Sequence, residues 1–319
     1  MLELSTKGKP KAETFCLRQA GNQHTLNKSG TFVMMKEFEK ELSRLNRAGG
    51  KQFGDDWIPC LEQRKSKLES AYLNLWQTGR DPIPYSSLSA RTAYLFAYAP
   101  ARAEYTRQYL GRHRTAWGQP LFEKASIEVV SFGGGPASEL VGLVRYLECP
   151  EHGEPVLKIN YVVHDKDEAW ADTATRVIAG METDIAINVS YEKTDVASRR
   201  SMGRIDLSQT DFVMFSYIMS ELAKVGKKDV IAENFRNILA KLEIGAKGLF
   251  IDNLHPIFIN YFYSWKLVSG LSERNDDDAP VPCDFSEMIG VFKELSDTLM
   301  WIPRTELRSV SKLIVRVNK

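Results

Sequence analysis

Ile127-Glu128-Val129-Val130-Ser131-Phe132-Gly133-Gly134-Gly135-Pro136-Ala137-Ser138-Glu139 is the stretch that decides the fold. Residues 127–132 are β-favouring and run straight into three glycines; a helix-forming segment, 138–147, follows. Glycines permit positive φ and let a ligand approach the backbone closely. The N-terminus of the following helix offers unpaired N–H groups, and open α/β sheets bind ligands outside the carboxyl ends of their strands. A dinucleotide-binding GxGxxG pattern would place its third glycine at position 138, where Ser138 stands. The pattern therefore favours a shorter GxG-type turn, and its bland alternative is a tight turn without a ligand.

Downstream, strands and helices alternate. Strand 156–163 leads into helix 167–179, and strands 184–190 and 211–215, helix 227–241, strand 248–252, helix 284–299 and strand 312–317 follow. Crossovers too long for hairpins predict an α/β fold with a doubly wound, mostly parallel sheet. The last strand is expected as an antiparallel insertion. Upstream the texture is all-helical. Met34, Phe38, Leu42 and Leu45 mark a helix over 34–48 that Gly49-Gly50 should stop. A second helix fits 58–78, a break falls at Arg80 to Pro84, and a third stretch covers 86–110, interrupted near Pro100. The expected organisation is a loosely ordered arm over 1–30, a helical region over 31–120 that holds RNA or forms a lid, and a core over 121–319.

Composition bounds the class. At 43% hydrophobic and 26% charged, the chain can bury a sizeable core. No apolar run reaches the roughly 18 residues of a membrane span, and the polar Met1–Pro10 lacks a signal-peptide core, which points to the cytosol or another internal compartment. Cys16, Cys60, Cys149 and Cys283 form no CxxC pair, so four reduced thiols and no metal site are expected. Net charge is +1, but residues 1–115 hold 19 Lys and Arg against 11 Asp and Glu, a local +8 that hints at an anionic partner.

With these motifs in hand, residues 126–255 resemble the class I S-adenosylmethionine (SAM)-dependent methyltransferases, whose Rossmann-like sheet is of a seven-stranded type. The resemblance implies SAM as cofactor, cradled by Gly133, Gly134, Gly135 and Pro136. It puts Asp165, at the end of Tyr161-Val162-Val163-His164-Asp165, on the ribose hydroxyls, with Asp167 as fallback. It puts Asp195 on the adenine amino group, with Val196 donating from its backbone, and Ser216 beside the transferred methyl in the stretch Asp211 to Leu222. The acidic residue that often stands two positions before the first glycine is replaced by Ser131; Glu139 is the substitute. The plain readings of these residues are a helix N-cap for Asp165, a loop carboxylate for Asp195, and packing for Ser216, Tyr217 and Glu221.

The acceptor is read less directly. Neither the N/D-P-P-Y/F tetrapeptide of exocyclic-amine enzymes nor a cysteine near the fourth strand is present; Pro282-Cys283 lies in an acidic loop. Short segments, GGPASEL at 134–140 and Phe215 to Leu222, are similar to the fungal-type large-subunit rRNA uridine-N3 methyltransferases, which implies a nucleobase in RNA. Tyr217, Glu221 and His255 are the catalytic candidates: Tyr217 and the aromatic run after 252 to stack a flipped base, His255 as a general base or a loop cap. Tyr85 and Arg91 are expected to fold over the cofactor, with Arg91 pairing its carboxylate or lying solvated. Two other classes stay open: a small-molecule methyltransferase whose helices 86–110 and 256–268 form a lid, and a non-catalytic SAM-binding interaction module.

Overall fold

In the computed structural model the described residues are 30–78, 83–114, 121–149, 155–266, 271–276, 283, 288–304 and 309–317. The expected arm lies outside them, as do Arg80 to Pro82, Asp277, Asp278, Pro282 and Cys16. Seven strands form one sheet: β1 (Ser126–Phe132), β2 (Lys158–Asp165), β3 (Ala186–Lys193), β4 (Phe212–Ser216), β5 (Lys247–Asn253), β6 (Leu271–Asp276) and β7 (Ser309–Arg316). Their order is β3-β2-β1-β4-β5-β7-β6. β1 through β5 pair in parallel, and β7 inserts antiparallel between β5 and β6. The expected mostly parallel sheet, its antiparallel insertion and its helical N-terminal region are all present. β6 (Leu271–Asp276) adds an edge strand that the sequence analysis does not predict.

The helices are α1 (Gly30–Phe53), α2 (Trp57–Leu73), α3 (Leu88–Ala97), α4 (Ala99–His113), α5 (Ser138–Leu147), α6 (Trp170–Gly180), α7 (Arg199–Gly203), α8 (Ile218–Leu222), α9 (Lys228–Leu239), α10 (Pro256–Lys266) and α11 (Gly290–Leu299). Successive strand residues point to opposite faces, and the core divides accordingly. Ile127 and Val129 of β1 and Ile159, Tyr161 and Val163 of β2 join a cluster with α1–α6 and α11. Val130 and Phe132, with Val213 and Phe215 of β4, join a cluster with α7–α10. The N-terminal helices thus share one core with the sheet. Among the described residues, no helix is long and apolar enough to cross a membrane, and no group of three His, Cys, Asp or Glu is placed to hold a metal ion.

Two expectations are corrected. α1 does not stop at Gly49-Gly50 but runs on to Phe53. A Cβ on Gly49 would stand 2.2 Å from the Trp57 ring, so this glycine serves a close helix contact rather than a cap. Cys149, just beyond α5, is disulfide-bonded rather than reduced, whereas Cys60 carries a free thiol.

Candidate functional site

The glycine loop is built at the carboxyl end of the central strand. The Gly133 N–H donates to the His164 carbonyl at 2.8 Å, continuing the β1–β2 ladder for one more rung. The chain then alternates into the left-handed region at Gly133 (φ 69°), Gly135 (φ 45°) and Ala137 (φ 64°). A Cβ on Gly134 would stand 2.7 Å from Ser131 Oγ, so the serine that replaces the expected acid fills the floor of the loop. Asp165 ties the loop from the neighbouring strand. Its Oδ2 accepts from Gly135 N at 3.1 Å and its Oδ1 from Asp167 N at 2.9 Å. Burial pushes this carboxyl up to about 7, against the lowering pull of those two N–H groups.

Backbone strain concentrates here. Among the described residues, the non-glycine positions at positive φ are Ala137, Tyr217 (φ 56°) and Met300. The first two follow β1 and β4, adjacent strands, and each precedes a helix. A left-handed alanine or tyrosine costs about 1–2 kcal/mol, and such strain gathers at functional sites where surrounding structure holds it in place.

Unsatisfied polar groups lie around the same loop. Glu139, on the first turn of α5, is 2% exposed, and its Oε2 has no hydrogen-bond partner. Burial raises its carboxyl to about 7, with Arg102 and Ser216 among the groups drawing it back down. The Ser216 hydroxyl lies near this carboxyl but completes no hydrogen bond, and Ser131 Oγ and the Tyr161 hydroxyl face one another likewise without completing one. Over them sits Arg102 of α4, 4% exposed. It donates to the Tyr94 hydroxyl and, at 3.2 Å, to the Tyr72 hydroxyl, while its Nε has no partner. Its guanidinium lies 4.4 Å from the Tyr217 ring centroid and 4.9 Å from that of Tyr94. Among the described residues it forms no ion pair. Gly142 makes this approach possible: a Cβ there would stand 2.3 Å from the Ala103 carbonyl oxygen, so α4 lies backbone-to-backbone on α5.

The structure brings together some of the candidates and disperses others. Tyr85 lies at the strand ends, against Asp167 and Glu221. Its N–H donates to Asp167 Oδ2 at 3.0 Å, its hydroxyl shares a 2.7 Å hydrogen bond with Tyr72 and reaches Glu221 Oε1 at 3.4 Å, and its ring tilts onto Trp170. Pro136 completes the loop. Asp195 accepts from Ala197 N at 3.0 Å and so shapes its own turn, and the Val196 carbonyl accepts from Asn234.

Three expectations fail. Tyr217 is 2% exposed and packed on Arg102, so it is not an exposed stacking platform. Arg91 donates to the Ser86 carbonyl at 2.6 Å and feels Asp167 rather than the glycine loop. His255 accepts from Ile257 N at 3.2 Å, which makes it the cap of α10 instead of a free base. Arg102 was missed. Tyr94, Tyr98 and Arg102 recur at helical spacing, a stripe that the sequence displays, but Pro100 hides its continuity.

No family model matches the chain, and no curated protein does. Among solved structures, the chain is similar to the CurJ carbon methyltransferase, at 11% identity over 86% of this chain and 71% of that one (TM-score 0.43). It is similar to an O-methyltransferase family protein from Burkholderia thailandensis, at 12% identity over 83% and 74% (TM-score 0.47). It is also similar to an arsenic(III) S-adenosylmethionine methyltransferase from Chlamydomonas reinhardtii, at 15% identity over 67% and 73% (TM-score 0.36). At such identities the functional reading rests on the site itself.

Proposed function

We propose that the chain transfers a methyl group from SAM, and that the acceptor is a nucleobase in RNA. The observation that carries the first part is the left-handed Gly133–Ala137 turn, tied by Asp165 at the carboxyl end of the central strand. The residues fit the group. A side chain on Gly134 would clash with Ser131 beneath the turn, the Asp165 carboxyl stands beside the turn with lone pairs that would accept vicinal hydroxyls, and buried polar atoms at Glu139 and Ser216 lack partners. When bound, SAM supplies an electrophilic methyl for in-line displacement. The protein's part is then chiefly positioning and the exclusion of water. The Tyr85, Tyr94 and Trp170 rings pack together by the strand ends, and the Glu221 carboxylate, which accepts from the Tyr85 hydroxyl, would serve as base for an acceptor that must lose a proton.

The RNA reading is supported by the +8 balance of residues 1–115 and by Trp76, 57% exposed and one turn beyond Tyr72. Such charge tracks phosphates and such a ring stacks bases. Calorimetry with SAM tests the cofactor: wild type binds, and Asp165→Ala weakens binding roughly tenfold or more. Failure of wild type to bind ends the reading. Transfer of labelled methyl into RNA from a host lacking the protein tests the acceptor, with Trp76→Ala reducing salt-sensitive RNA binding and leaving SAM affinity intact. Label that enters only small metabolites would replace RNA with a small-molecule acceptor.

A further inference from the structure

Arg102 is a buried charge on which no carboxylate closes, although Glu221, Glu139 and Asp252 interact with it electrostatically. It is buried, its partners are two neutral phenols, its Nε is empty, and among the described residues no carboxylate lies within ion-pair distance. An isolated buried ion is costly, and folded proteins pair such ions or leave them for a ligand. Glu139 presents the complementary defect one element away: a buried carboxyl whose Oε2 no group satisfies. Each is felt electrostatically by the other, yet they do not close on one another. Both sit on helices that Gly142 presses together, beside the loop that follows β1. The two helices thus set one positive and one negative group beside the same loop.

We propose that Arg102 and Glu139 form a receptor for a zwitterionic amino-acid group, the guanidinium taking its α-carboxylate and the Glu139 carboxylate its α-ammonium. This rests on the SAM reading and deepens it by assigning the methionine end of the cofactor to two residues from α4 and α5. The acid is then supplied from the first turn of α5 instead of from the strand end at position 131, where Ser131 is needed short because Gly134 lies over it. A planar guanidinium suits a carboxylate through two parallel donors, which lysine does not offer.

Truncated ligands test the pair without turnover. S-adenosylhomocysteine carries the amino-acid end, and 5′-methylthioadenosine lacks it. By calorimetry, wild type should bind S-adenosylhomocysteine at least tenfold more tightly. Glu139→Gln and Arg102→Met should each cut that ratio roughly tenfold or more with methylthioadenosine affinity unchanged within about twofold, and Arg102→Lys should lose an intermediate amount. Glu139→Gln is nearly isosteric and keeps the test decisive if Arg102→Met fails to fold. A wild-type ratio near one, or a ratio that survives both substitutions, overturns the receptor and leaves the cofactor reading standing. Wild type that binds neither ligand overturns both.

Discussion

The two ends of the parallel strands differ in a way that size does not reveal. At the amino ends of β1, β4 and β5, a cavity of about 460 Å³ opens between His113, Leu121, Lys124, Asp211 and Lys247. Three of its charged side chains are engaged with the protein: Lys124 pairs with Asp211, Asp211 also accepts from Glu128 N at 2.9 Å, and the Lys247 ammonium donates to the Leu121 carbonyl at 2.7 Å. At the carboxyl ends Arg102, Glu139, Ser131 and Ser216 all carry unsatisfied atoms, and two non-glycine residues sit in left-handed backbone. The difference teaches that unspent chemistry marks a site better than volume does, because a polar group buried without a partner is retained against a free-energy cost.

The largest expected break in this contrast is electrostatic. Burial raises the Glu139 carboxyl to about 7 from an ordinary 4.5. The native state then binds more protons than the unfolded state between those values, so this group's contribution is fully present below about pH 4.5 and is lost as pH rises to about 7. Urea unfolding should show the stability of wild type, relative to Glu139→Gln, falling by about 3 kcal/mol across that window. A difference that stays flat with pH would mean that the carboxyl is not paying for burial. Asp165, raised in the same sense, adds a parallel slope that both proteins share.

Next is Gly142→Ala. In most helix interiors this change stabilises by about 1 kcal/mol. Here the new Cβ would meet the Ala103 carbonyl at 2.3 Å and Thr106 Cβ at 2.7 Å, and thermal unfolding should report a loss of about 1–3 kcal/mol. If α4 lifts from α5, affinity for S-adenosylhomocysteine should fall more than that for methylthioadenosine. Stabilisation by this substitution would show that the helices are not in backbone contact.

The smallest effect belongs to the opposite edge. Asp211→Ala removes the acceptor of Glu128 N and a salt bridge whose lysine is mostly exposed, so it should cost about 1 kcal/mol. Ligand affinity should not change, and a change above about threefold would make the cavity at the amino ends part of the site.

Much of the fold was legible because strands buried on both faces read as apolar runs and because the register of a parallel ladder fixes which strand ends lie side by side. Asp165 could be placed beside the glycine loop on that ground alone. What stayed hidden depends on contacts between segments far apart in the chain. Gly49 resembles a helix stop, but Trp57 makes it a packing glycine. His255 resembles a base, but the turn into α10 takes its Nδ1. Tyr217 resembles a stacking ring, but α4 covers it with Arg102.

By itself, the sequence determined the alternation of strand and helix, the turn that three glycines allow and the acid at the end of the next strand. These follow from local periodicity and from the φ range that glycine alone enters freely. Only the tertiary structure decided the charges above that turn. Arg102 and Glu139 are 37 positions apart, and nothing local marks either as unpaired. Their state is set by where α4 lands on α5, because burial and the absence of a counter-ion are properties of surroundings that no single stretch of chain contains.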